Sequence, residues 1–288
     1  MIHYYGITKI GSYHVEKGIV CQDYHSITKI DNHFCIAAVA DGVGSETKSD
    51  IASKIASESC VDYLKDNFKR GLDNETALEI IKNAFAYSLT RIEEYVEENS
   101  EDINQFDTTL VACVFVDKKV FYGNSGDSGA VVLLENGLYL PITKKQNDEN
   151  GCVYSLCWKD KWEFGFIDNV ASVLLATDGL YDTLFPFLLK YSDKDIYVSL
   201  AEYLMNNKNL KYKRNNDVKI QKTMEEFIDG IPGSSVNDDK TVVVIVDTSV
   251  KVGRQDDQYY APIDWDELQR KHNEIYFKEA YPSLNKDE

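Results

Sequence analysis

The sequence predicts an α+β fold of layered sheets and helices. Short runs rich in Val, Ile, Phe and Cys recur along the chain, and two amphipathic stretches of helical spacing separate the first group of runs from the second. Strand and helix do not alternate in the regular order that builds a doubly wound parallel sheet.

The strand candidates are His33 to Ala40, Thr109 to Val116, Val120 to Gly123, Ala130 to Leu134, Ala171 to Ala176 and Thr241 to Val246. Several are apolar throughout, as strands covered on both faces are. Asn136-Gly137, between AVVLL and LYLPI, is a turn pair that tolerates positive φ and so predicts an antiparallel hairpin.

Ile51, Ala52, Ile55, Ala56, Cys60, Tyr63 and Leu64 form one helical stripe, with Ser49 expected at the N-cap. Leu78, Ile81, Phe85, Leu89, Ile92 and Val96 form a second, longer one, with Glu and Lys on its other face. Each is expected to lay its apolar side on a sheet.

A helix is predicted over Ile196 to Met205, followed by a basic stretch, Lys208 to Lys222, and a Pro/Gly turn at Gly230 to Ser234. We read 193–235 as an inserted flap within a catalytic domain of residues 1–250, and the basic stretch as a solvated loop. The remainder, 251–288, reads as a tail carrying an amphipathic helix around Asp264 to Phe277, docked on the domain or on a partner. The aromatic segment with Trp158, Trp162 and Phe164 is expected in the core.

The formal charge of −17 would repel a polyphosphate backbone, which argues against nucleic acid as a partner. No apolar run approaches the length of a bilayer span, and the N-terminus lacks the basic and apolar regions of a secretory signal, so a cytoplasmic protein without membrane association is expected. Six cysteines and five histidines show no zinc or iron–sulfur spacing, and the cysteines read as reduced, buried small hydrophobes. Gly123-Asn124-Ser125-Gly126 lacks the spacing of a nucleophile elbow.

The informative feature is a set of aspartates where strands end. Asp41-Gly42 closes CIAAVA, Asp178-Gly179 closes VLLAT, and Asn237-Asp238-Asp239 opens TVVVIV, with Asp23 and Asp127 at two further strand–turn positions. A carboxylate at a strand end has rigid backbone behind it and solvent in front, and a following glycine lets a carbonyl approach an ion. A single Asp-Gly pair is more often a turn than a ligand; several edges bearing acids suggest one shared site.

In order, CQDY, VADGVG, FDTTL, GNSGDS, LLATDGLYD and NDDKTVVVIV resemble the motif series of the protein phosphatase 2C family, the metal-dependent PPM phosphatases, in its bacterial form. The resemblance runs from about Gly6 to Asp247. It implies a four-layer α-β-β-α sandwich of two antiparallel sheets flanked by helices, and hydrolysis of phosphoserine and phosphothreonine on proteins by a hydroxide bridging two metals, without a covalent phosphoenzyme. It implies that Asp41 bridges the metals with the Gly42 carbonyl beside it, that Asp178 and Asp239 bind the first metal, and that Asp23 orients metal-bound water. Asp127, with Asp178, matches a third and weaker site, and Thr108 and Thr109 serve structure nearby. The cofactor is then magnesium or manganese, two or three ions per chain, which suits an all-oxygen shell. The implied partners are phosphoproteins made by an opposing Ser/Thr kinase; a monomer is expected, although the sequence leaves the oligomeric state open.

The chain departs from the family pattern at three places. Gly18 stands where many members carry a phosphate-gripping arginine, leaving Lys17 or His14 as the candidate substrate-phosphate contacts. Gln22 replaces an acid, and Val43 replaces the histidine that animal members carry as a general acid. These departures keep two alternatives open: a non-catalytic phosphoprotein-binding scaffold, and a phosphatase of small phosphoesters.

Overall fold

The computed structural model describes residues 1–206 and 217–280. Ten strands form two antiparallel five-stranded sheets. One has the order β1 (Ile2–Lys9), β10 (Lys240–Asp247), β9 (Val170–Ala176), β6 (Gly129–Leu134), β7 (Tyr139–Pro141). The other has the order β2 (Asp23–Asp31), β3 (Phe34–Asp41), β4 (Leu110–Val116), β5 (Lys119–Ser125), β8 (Glu163–Ile167).

The two sheets face one another through alternate residues of their apolar strands. Cys35, Ala37 and Val39 of β3 and Val111, Cys113 and Phe115 of β4 meet Val173 and Leu175 of β9 and Val243 and Ile245 of β10. The other faces of the same strands, Ile36, Ala38 and Ala40 among them, pack against helices α2 (Ser49–Asn67) and α3 (Asn74–Asn99). Burial on both faces explains why these strands lack a polar alternate position. The result is the α-β-β-α sandwich expected of the family.

Both predicted helices form, and Asp73 caps α3 by accepting from the Thr76 amide. Ser49 is not the cap of α2. It is the first helical residue, and its hydroxyl donates back to the Glu46 carbonyl while accepting from the Gln22 amide side chain. The hairpin at Asn136-Gly137 joins β6 to β7, with Gly137 at φ 89°.

Of residues 193–235, the described ones are 193–206 and 217–235. The predicted helix is α5 (Val198–Met205), and α6 (Asp217–Asp229) occupies the end of the stretch read as a solvated loop; residues 207–216 of that stretch lie outside the described residues. Val198, Ala201, Leu204, Met205, Ile220, Met224 and Ile228 are buried with Tyr5, Ile7, Val242 and Val244, so these helices are the outer layer on the first sheet. A basic surface composition concealed an apolar stripe at helical spacing.

The tail docks on the domain. Helix α7 (Trp265–Ala280) sets Trp265 edge-on to Tyr197 with centroids 5.3 Å apart, and the Tyr191 hydroxyl lies 2.7 Å from His272 Nδ1. Trp162 and Phe164 pack against Phe85 as expected, whereas Trp158 is 48% exposed. All six cysteines are free thiols, but only Cys35, Cys60 and Cys113 are buried; Cys21 is half-buried, and Cys152 and Cys157 lie exposed on the β7–β8 connection. Among the described residues no helix is long and apolar enough to cross a membrane.

Candidate metal centre

The acids converge at one end of the sandwich because several strands end there. Asp23 opens β2 and Asp41 closes β3, and the two are direct partners in the antiparallel register. Asp178 is the first residue of the short helix α4 (Asp178–Tyr181) immediately after β9, and Asp127 lies in the turn between β5 and β6. Carboxylate oxygens of Asp41, Asp127 and Asp178 come within 4.8 Å of one another.

Hydroxyls and amides fix Asp41. Its amide donates to Thr109 Oγ1 at 3.0 Å, and Thr108 Oγ1 donates to its carbonyl at 2.8 Å. Thr109 in turn lies 3.0 Å from the Ser128 hydroxyl, next to Asp127, so FDTTL and GDS are tied together behind the acids. The Val43 amide donates to the Asp107 carbonyl and the Thr109 amide to the Asp41 carbonyl, which leaves the Gly42 carbonyl outside this ladder. A Cβ at Gly42 would sit 2.7 Å from the Ser49 carbonyl oxygen and 2.8 Å from that of Gln22, so the tight passage requires glycine.

Asp23 is 4% exposed and accepts from Thr177 Oγ1 at 2.7 Å. Burial raises its carboxyl well above the ordinary range, and the nearby Asp239 and Asp178 add to the rise against the Thr177 and Thr241 hydrogen bonds. Burial likewise raises Asp41, followed by the charges of Asp23 and Asp178. Asp178 is pushed up to about 6 by burial and by Asp127, and Asp127 is raised by burial. Asp41 and Asp178 keep an edge open to solvent while sitting deep among these neighbours.

Asp239, expected as a metal ligand, is 3% exposed; its Oδ1 accepts from the Gly11 amide at 2.6 Å and its Oδ2 from the Gln22 amide at 2.7 Å. It ties the segment before β2 to the start of β10. Asp238 is the exposed acid, and its charge contributes to the rise at Asp178. The two residues line one cavity of about 580 Å³ with Gly179 and Asp182. A Cβ on Gly179 would meet the Asp239 carbonyl oxygen at 2.1 Å, so this glycine lets the two loops close on one another. With a His14 ring nitrogen, carboxylate oxygens of Asp238 and Asp239 form a second group of donors within 4.8 Å of one another.

Of the two proposed phosphate contacts, His14 is buried and Lys17 is exposed. His14, in helix α1 (Ser12–Lys17), is buried with Nδ1 2.9 Å from Asp239 Oδ2 but off the line of a hydrogen bond, so that nitrogen has no hydrogen-bond partner. Lys17 is exposed, with its ammonium 5.8 Å from the centre of the Tyr13 ring. Gln22, in place of an acid, donates to the Ser49 hydroxyl at 2.7 Å.

These donors fit divalent cations. Burial and mutual repulsion both raise these carboxyls, an environment that counter-charge would relieve, and an all-oxygen set favours a hard ion such as magnesium or manganese. A family model for protein phosphatase 2C matches residues 10–224, well over half the chain. The chain belongs to the protein phosphatase 2C family. It is a protein phosphatase of that metal-dependent family, although the matched segment stops short of the NDD stretch.

Solved structures agree on the fold. The serine/threonine phosphatase Stp1 from Staphylococcus aureus is 16% identical with a TM-score of 0.56, covering 85% of this chain and 95% of its own. The Mycobacterium tuberculosis serine/threonine phosphatase PstP/Ppp is 17% identical with a TM-score of 0.54, covering 88% of this chain and 99% of its own. The S. agalactiae serine/threonine phosphatase is 13% identical with a TM-score of 0.56, covering 85% and 99%. No curated protein sequence matches significantly. At these identities the likeness speaks for the protein phosphatase 2C fold, and the acid cluster speaks for the site.

Proposed function

We propose that this protein phosphatase hydrolyses phosphoserine and phosphothreonine monoesters on proteins with magnesium or manganese, opposing a Ser/Thr kinase. The observation that carries the reading is the meeting of Asp41, Asp127 and Asp178 from three separate strand ends. Asp41, Asp178 and Asp238 would hold the principal cations with the Gly42 carbonyl, and Asp127 with Asp178 a third. Bound there, such ions supply Lewis acidity, which makes water a stronger acid and neutralises charge on phosphoryl oxygens.

The chain's own part is positioning and proton handling. Thr108 and Thr109 hold the Asp41 backbone from two sides, and Asp239 anchors the segments carrying Gly11 and Gln22. Asp41 and Asp178 are both raised by burial and by neighbouring carboxylates, so cation binding here would be coupled to proton release. Asp23, steadied by Thr177, stands beside Asp41 as the carboxyl that accepts a proton from, or orients, attacking water. With Val43 in place of a histidine, the leaving alkoxide takes its proton from solvent.

The purified protein should release phosphate from a phosphothreonine peptide when manganese is present and stop when a chelator removes it. Turnover that survives complete chelation rejects the reading, and faster hydrolysis of sugar phosphates than of phosphopeptides moves the substrate class to small phosphoesters.

A further inference from the structure

A phosphoryl dianion entering a cluster of aspartates needs a protein cation beside it, and the segment before β2 has Gly18 where the family's arginine would supply one. Lys145, on the segment that follows β7, is a candidate for that cation. Its backbone is pinned next to Asp127: the Gln146 amide donates to the Gly126 carbonyl at 3.0 Å, and the Gly126 amide donates to Gln146 Oε1 at 3.1 Å. Its ammonium lies 2.6 Å from Asp182. Asp182 follows Asp178 by one helical turn, and both line the cavity beside the centre.

We propose that Lys145 grips the substrate's phosphoryl oxygens and rests on Asp182 until phosphate arrives. The inference rests on the phosphatase reading above and names a residue of that same site. The side chains of Lys145 and Asp182 are 38% and 55% exposed, and an ion pair so open to water holds weakly. A phosphate dianion carries about twice the charge of a carboxylate, so it competes with Asp182 for the ammonium. The charge of Lys145 already reaches the acids, since it draws the carboxyls of Asp127 and Asp178 down against the effect of burial. The ammonium therefore belongs to the field in which the phosphate will sit.

Calorimetry of inorganic phosphate binding to manganese-loaded protein tests this apart from turnover. Manganese is titrated first: a protein that takes up no manganese removes the phosphatase reading, and the Lys145 proposal falls with it. With manganese bound, Lys145→Ala should weaken phosphate binding about tenfold or more, and Lys145→Arg should stay within about threefold of wild type, because the charge is kept. In phosphopeptide kinetics the alanine loss should appear in KM more than in kcat. Unfolding temperature separates a folding defect, because a merely structural lysine would shift it and leave phosphate affinity alone. Unchanged phosphate affinity in Lys145→Ala, equal loss in both variants, or no phosphate binding by the manganese-loaded wild type would overturn the proposal.

Discussion

Asp23 and Asp41 oppose one another directly across the β2–β3 ladder, so two carboxyls share one face of the sheet at neighbouring strand ends. Like charges directly opposite in a sheet destabilise it. Burial is the main cause that raises Asp23; the charges of Asp239 and Asp178 add to it, and the hydroxyls of Thr177 and Thr241 act against it without restoring the ordinary value. The sandwich is thus built around an electrostatic defect that protons or cations relieve.

The defect sets a pH dependence for the cation-free protein. An unfolded aspartate titrates near 4, whereas Asp178 is raised to about 6 and Asp23 and Asp41 are raised well above their ordinary value. The folded state therefore holds extra protons above about pH 4, and the stability they contribute is full below that pH and lost as pH rises through about 6 and beyond. His25, lowered by burial, acts in the opposite direction, favouring the folded state as pH rises towards about 6.5. In chelator, the unfolding temperature of wild type should fall more between pH 5 and pH 7.5 than that of Asp41→Asn, which removes one of the acids. Parallel profiles would contradict the cluster's role.

Asp238 and Asp239, adjacent in sequence, should part company in mutagenesis. Asp239→Ala deprives two buried amides of their acceptor and should cost about 3 kcal/mol of stability. Asp238→Ala should leave the unfolding temperature in chelator unchanged or higher, and should weaken manganese binding by more than the roughly 10–100-fold typical of changes behind a ligand. Thermal unfolding paired with manganese calorimetry reads both.

Thr177→Val removes the hydroxyl that donates to Asp23 while keeping its shape. A donor to the charged form holds a carboxyl down, so its loss raises Asp23 further. At saturating manganese the acid limb of kcat/KM should move up by about one pH unit, and Thr177→Ser should restore it.

The C-terminal helix should contribute to stability rather than to chemistry. Leu268 is 5% exposed, and its truncation to alanine should cost about 2 kcal/mol, or roughly 4–8 °C in unfolding temperature. Trp265→Ala should loosen Tyr197, which lines the cavity beside Asp178, and lower the unfolding temperature as well.

What could be read from the sequence follows from how much each residue says locally. Strands buried on both faces, such as CIAAVA and TVVVIV, announce themselves by unbroken apolar runs, and Asp41 and Asp178 by ending them. β1 and β2 escaped because HYYGITK and DYHSITKID mix polar side chains into half-buried strands. α6 escaped because Ile220, Met224 and Ile228 are spaced among lysines and glutamates. The choice between Asp238 and Asp239 depends on which amides lie within reach, and Gly11 and Gln22 come from more than two hundred positions away. Lys145 shows no motif; its meaning comes from the Gly126–Gln146 hydrogen bonds and from Asp182.

The most direct measurement is anomalous scattering from crystals grown with manganese. Ion density should appear in contact with the carboxylates of Asp41, Asp178 and Asp238, with Asp239 still on the Gly11 and Gln22 amides. Crystals in which these acids stay apart from any ion, or in which manganese sits on Asp239 and leaves Asp238 in solvent, would contradict it.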